Sequence, residues 1–185
     1  SEQAVNSGVQ ITVHIKVDTG MSRLGFVYHD SVENSAAVET IAAVCALPGL
    51  YPEGVFTHFT SAGDEGGEAF TRVQYDLFLT LLGELKKSGV EFKIRHCCNS
   101  SATLLYPEMH LDLVRPGLIL YGLHPSWLTR DTVELTAVLQ MKTIVSMVKR
   151  ISSDTPVSYS GKYVSDGEIK VATVPVGYAD GYPRS

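Results

Sequence analysis

A chain of 185 residues with a hydrophobic fraction of 44% can fill one core and part of another. Its net charge of -5, with Lys and Arg scattered rather than striped, argues against a nucleic-acid partner. Its longest apolar stretches, Thr40 to Leu47 and Val171 to Val176, fall well short of the roughly 20 residues a bilayer span requires, so no membrane partner is expected.

The opening residues Ser1-Glu2-Gln3-Ala4 have neither a basic start nor an apolar core, so no signal peptide is expected there. Cys45, Cys97 and Cys98 are an odd set with an adjacent pair, which suits neither a disulfide framework nor a zinc site and predicts a reducing, cytoplasmic setting.

In chain order, QITVHIKVD (Gln10 to Asp18) is rich in β-branched residues and stops at Thr19-Gly20, which predicts a strand. A helix is predicted from Ser31 to Leu47, with Ser31 as cap, Glu33 in the first turn, Asn34 where a capping box would need Glu or Gln, and Val38, Ile41, Ala42 and Cys45 at helical spacing. The pattern repeats with a strand from Glu53 to Phe59 and a helix from Glu68 to Lys87, whose Phe70, Val73, Leu77, Leu81 and Leu85 are expected to line one face. A strand from Glu91 to Cys97, a short helix from Ser100 to Tyr106 and a strand from Leu111 to Val114 follow. Strands alternating with helices imply parallel pairing through right-handed crossovers.

After Leu123 the texture turns to strand: Glu134 to Ile151, Pro156 to Tyr163 around a glycine turn, and Ile169 to Val176 before GYADG. The expected fold class is α/β, a partial (β/α)8 barrel over residues 1–127 followed by the start of an all-β domain over 128–185, since a complete barrel needs about 250 residues. The chain is therefore expected to be a fragment of a longer protein.

Catalytic groups of such barrels come from the carboxyl ends of the strands. Each predicted strand end supplies one: Lys16, Asp18 and Arg23, then His58, then His96 and Asn99, then Arg115. A lone histidine at a strand end is ordinarily a hydrogen-bonded structural residue, but a series of cations, imidazoles and hydroxyls without paired acids suits an anionic ligand better than a metal. Adjacent strand residues point to opposite faces, so His96-Cys97-Cys98 is not expected to ligate one ion.

The segment KVDTGMSRLGF, Lys16 to Phe26, closely resembles a signature of alanine racemases, and FTHFTSAGDE, HCCNSSATL, VRPGLILYGL, VSYSGKY and TVPVGYADGYPR follow in the family's order. The resemblance runs from about Val13 to Arg184 and implies the later half of a pyridoxal 5'-phosphate-binding barrel and the start of a β domain. Through it, Arg115 is expected to face the pyridine nitrogen, Gly117 and Leu118 to offer backbone amides and Ser100 its hydroxyl to the phosphate, Asn99 to border the pocket and His58 to pack near the ring. Tyr178 matches the catalytic tyrosine, with His96 and Arg115 as helpers that lower its phenol from a free pKa of about 10. Arg23 resembles the arginine that places the substrate carboxylate, and Lys16 a lysine that is often carbamylated.

The activity implied is interconversion of L- and D-alanine by two opposed bases in a homodimer, supplying D-alanine for peptidoglycan. The family's Schiff-base lysine has no counterpart in this chain, which is accordingly expected to be inactive alone. Serine racemisation by the same architecture and a non-catalytic pyridoxal-phosphate-binding barrel are the alternatives; GYADG argues against the second, since such carriers lack the β domain.

Overall fold

A computed structural model describes residues 1–29 and 34–183. The chain divides into two compact units, Ser1–Val138 and Leu139–Ser185. The division falls later than the 127/128 boundary expected from sequence, because the backbone near Thr136 and Ala137 packs against Gly122 and the Val138 amide donates to Tyr121 O at 3.3 Å.

The first unit is built on four parallel strands, β1 (Ile11–Asp18), β2 (Phe26–Val27), β3 (Leu50–Phe56) and β4 (Ile94–His96), in the order β2-β1-β3-β4. Three helices accompany them, α2 (Asn34–Cys45), α3 (Glu68–Lys87) and α4 (Ser100–Leu105), after a short α1 (Glu2–Asn6) that the sequence reading did not anticipate. Ser31 and Glu33, expected at the start of α2, lie outside the described residues.

One face of the sheet faces the helices. Ile15, Val17 and Val55 are buried with Val38 and Ile41 of α2 and Phe78, Leu81 and Leu85 of α3. The buried side of α3 carries Thr71, Gln74, Phe78, Leu81 and Leu85, whereas Phe70 and Val73, expected to face inward, are exposed. The reason is polar: the Gln74 carboxamide accepts from the Thr60 amide at 2.9 Å and donates to His58 O at 3.3 Å, which turns the first half of the helix toward the loop after β3.

The strand expected at Leu111 to Val114 is absent. The segment runs beside β4, with Asp112 N donating to Arg95 O at 3.1 Å and Arg115 N to Cys98 O at 3.0 Å. Between them the Asp112 carboxylate takes the Arg95 amide that a strand carbonyl would take, and Leu111 adopts φ 53°. It leads into a 3-10 turn at Leu118–Tyr121.

In the second unit β5 (Met147–Ile151) pairs antiparallel with β8 (Ile169–Thr173), and β6 (Pro156–Val157) with β7 (Tyr163–Val164). Of the long strand expected from Glu134 to Ile151 only the last five residues form, because a strand needs a ladder and none reaches the residues before Ser146. The α/β sheet followed by antiparallel β structure is the expected fold class.

Candidate active site

The sheet face away from the helices carries the polar residues. Lys16 pairs with Phe56 and Phe56 with His96 across β1, β3 and β4, so these side chains form one row on one face. The Phe56 ring stacks on the His96 imidazole, centroids 4.9 Å apart at 4°, with the Arg115 guanidinium carbon 5.2 Å and Lys16 Nζ 5.8 Å from its centroid.

Arg115 is the hub. Its Nη2 donates to Thr57 O at 2.8 Å and Cys97 O at 3.3 Å and lies 3.3 Å from His58 Nδ1, while Nη1 lies 2.5 Å from His96 Nδ1. Although the strand expected at Leu111 to Val114 is missing, the residue after it, Arg115, thus reaches back beneath the ends of β3 and β4. Burial pushes the guanidinium below its ordinary value, yet an arginine remains charged. Burial first, and then the charge of Arg115, push both imidazoles down to about 4: Arg23 and Lys16 add to the effect at His58, and His14 at His96. Both histidines are neutral at pH 7.

Lys16 donates to Val17 O; burial lowers its ammonium, Asp18 opposes, and Arg115 and Arg23 reinforce the lowering. Asp18 organises the loop that follows. Burial alone would raise its carboxyl, but the amides of Ser22, Gly20 and Met21 and the His29 ring all reach Oδ1 and hold it below its usual range. The loop returns to β2 at Gly25, with φ 112° and an added Cβ only 2.7 Å from Lys16 O, so only glycine fits. Arg23 stands exposed on this loop.

Asn99 caps α4, its Oδ1 accepting from the Ala102 amide at 3.0 Å and its Nδ2 donating to Phe59 O at 3.2 Å. The Ser100 hydroxyl accepts from Gly117 N at 2.8 Å. His58, Asn99, Ser100, Arg115, Gly117 and Leu118, with Ser101 and Pro125, line one cavity of about 360 Å³. No carboxylate is among those lining residues, and a cation, hydroxyls and amides are, so the cavity suits an anion. Of the site residues expected on the first unit, these six line it; His96 touches Arg115, Lys16 shares the Phe56 ring with Arg115, and Arg23, on the loop after β1, is felt as a charge at His58 and Lys16. Tyr178 stands on the second unit, in a 3-10 turn and 71% exposed.

The structure also shows what sequence reasoning missed. Cys97 and Cys98 do not point apart: both thiols donate to Met109 O, at 3.1 and 3.2 Å, because β4 ends at His96 and strand alternation has lapsed. Among the described residues no three His, Cys, Asp or Glu side chains gather as a metal site would need. Gln74, which holds the His58 loop, and Thr57, whose carbonyl anchors Arg115, carried no signal beyond one polar residue among many in an amphipathic helix and one threonine at a strand end.

Residues 1–125 match the family model for the alanine racemase N-terminal domain and residues 138–185 that for the C-terminal domain. The chain is 44% identical to an alanine racemase of Desulforamulus reducens over 98% of its own length and 48% of the relative's, and 40% identical to one of Methanococcus maripaludis over 96% and 46%. Among solved structures it is similar to the alanine racemase of Clostridium difficile 630, with TM-score 0.81 and 34% identity over 99% of this chain and 47% of that one. It is likewise similar to the biosynthetic alanine racemase of Pseudomonas aeruginosa, with TM-score 0.79 and 29% identity over 100% and 50%. The chain spans about half the length of the curated relatives it matches.

Proposed function

The chain belongs to the alanine racemase family, and from that footing we propose that it carries the later half of a pyridoxal-phosphate pocket and the tyrosine of a two-base racemase interconverting L- and D-alanine. The observation that carries this reading is Arg115, fixed by Thr57 O, Cys97 O and His96 at the wall of a cavity lined by Ser100 and Gly117 and free of carboxylates.

That donor set fits the cofactor. Bound there, pyridoxal phosphate supplies an electron sink for the substrate α-carbon. The Ser100 hydroxyl and the amides of Gly117 and Leu118 would hold its phosphate, with Asn99 and His58 bordering the site. Arg115, unable to surrender its proton, would leave the ring nitrogen unprotonated and so would moderate the sink and suppress side reactions. His96 and His58, neutral at pH 7, add no competing charge.

Arg23 takes the substrate carboxylate, and Tyr178 Oη moves the proton at one face of the α-carbon, aided by His96 and Arg115 and supplied from the partner subunit of a homodimer. The opposing base is the family's lysine, for which this chain has no counterpart. Lys16, its ammonium lowered by burial, is the candidate for carbamylation, and the new negative charge would orient Arg23. The protein acts in the cytoplasm and supplies D-alanine for peptidoglycan.

Incubation of the full-length protein with L-alanine in D2O tests the reading: deuterium should enter the α-carbon, and Tyr178→Phe should slow its entry by about 100-fold or more. Wash-in at an unchanged rate in that variant would overturn the assignment of Tyr178, and none in the unsubstituted protein would overturn the activity. Parallel assays with serine distinguish the two substrates.

A further inference from the structure

In the run QITVHIKVD a histidine interrupts β-branched residues, and it is not one that the cavity uses. His14 stands two positions before Lys16 on β1 and so shares its face of the sheet. The pairing of β1 with β3 slips at this point: Val13 pairs with Pro52 but His14 with Gly54, leaving Glu53 as the extra residue of a bulge. Bulges re-aim side chains, and this one sets a glycine opposite the imidazole. The glycine is needed, since a Cβ at position 54 would lie 2.5 Å from two atoms of the His14 ring.

In the slot thus opened His14 Nδ1 lies 2.8 Å from His96 Nε2. The proton positions follow from the partners. A guanidinium has only donors, so His96 Nδ1, 2.5 Å from Arg115 Nη1, accepts. A neutral imidazole carries one proton, so that of His96 is on Nε2 and points to His14 Nδ1, which accepts. The His14 proton is then on its own Nε2, 4.0 Å from a Glu53 carboxylate oxygen; the other oxygen of that carboxylate is held by Lys93 Nζ at 3.2 Å. Donation runs one way, from Arg115 through His96 to His14.

We propose that His14, seated by the Glu53 bulge and the bare Gly54, is a positioning residue that accepts the Nε2–H of His96 from the side opposite Arg115 and so keeps the imidazole, with its bare Nδ1, seated against the guanidinium. With the tautomer reversed, an N–H of His96 would face an N–H of Arg115 and push the guanidinium off its anchor. The effect on turnover rests on the racemase reading; the tautomer does not.

Nitrogen-15 NMR of histidine-labelled full-length protein reads the tautomer directly. His96 should show a protonated Nε2 and a bare Nδ1, and a proton found on Nδ1 in the unsubstituted protein would overturn the proposal. His14→Leu leaves the buried Nε2–H without an acceptor and should shift its resonance away from the hydrogen-bonded position, whereas His14→Gln, whose amide oxygen can accept, should restore it. An unmoved His96 Nε2 resonance in His14→Leu would also overturn it. Racemisation by His14→Leu should fall on the order of tenfold, the size of one hydrogen bond to a charged chain, and recover in His14→Gln. If the Nε2 resonance responds but the unsubstituted protein exchanges no α-deuterium, the racemase reading fails and the role of His14 stands.

Discussion

The two units of this chain bury their residues very differently. In the first, Val17, Val55, Phe78, Leu81 and Leu85 are wholly inaccessible, because parallel strands joined through helices acquire a second layer from their own connections. In the second, Ser165 is the one buried residue among those described, and it is held by hydrogen bonds, its hydroxyl donating to Ser152 O at 2.6 Å and accepting from Thr155 N at 3.1 Å. The second unit's Met147 and Val148 are exposed, as two-stranded ribbons have no layer of their own to cover them. Groups that must be fixed closely, Arg115 and the two imidazoles beside it, stand on the packed unit, while Tyr178 stands on the lightly buried one. A precise site is better built on packed elements than on exposed ones.

That contrast can be broken first by core substitution. Phe78→Ala should cost about 3–5 kcal/mol in denaturant unfolding of the full-length protein, whereas Val148→Ala, removing an exposed side chain, should change it by less than about 0.5 kcal/mol. Equal effects would show that exposure here does not report packing.

A second test uses pH. His58 and His96 have folded-state pKa values of about 4, below the ordinary value of 6.5, so between those two the unfolded chain binds more protons than the folded one. Their contribution to stability is complete above pH 6.5 and is lost as pH falls toward 4. The thermal midpoint should decline over that window, and His96→Gln should flatten the decline.

The smallest effect is expected at the loop after β1. Asp18→Asn weakens three amide hydrogen bonds but keeps an acceptor, and should lower stability at pH 7 by about 1 kcal/mol. The native carboxyl sits below its usual range, so its contribution is present above the unfolded pKa and lost as acid protonates it. The Asp18→Asn variant should therefore converge with the parent in acid, as thermal melts at descending pH would show.

Much of the first unit was legible because local signals agreed with one another. The β-branched run of β1, the apolar spacing of α3 and the Asn99 cap each name an element from neighbouring residues alone. Strand-end position likewise marked Lys16, His58, His96 and Arg115 before any contact was known. Illegible features depend on partners distant in the chain: Glu134 to Val145 has strand composition but no ladder, and Leu111 to Val114 yields its bond to the Asp112 side chain.

By itself the sequence determined which chemistry the chain can offer, a guanidinium, imidazoles, hydroxyls and a tyrosine in family order, because side-chain type and spacing are local properties. Only the tertiary structure decided which of them meet. Whether Arg115 anchors on Thr57 O, whether Gln74 turns inward, and whether a one-residue slip between β1 and β3 seats His14 against His96 are matters of register and packing between segments tens of residues apart. Neither register nor packing is written in any one segment.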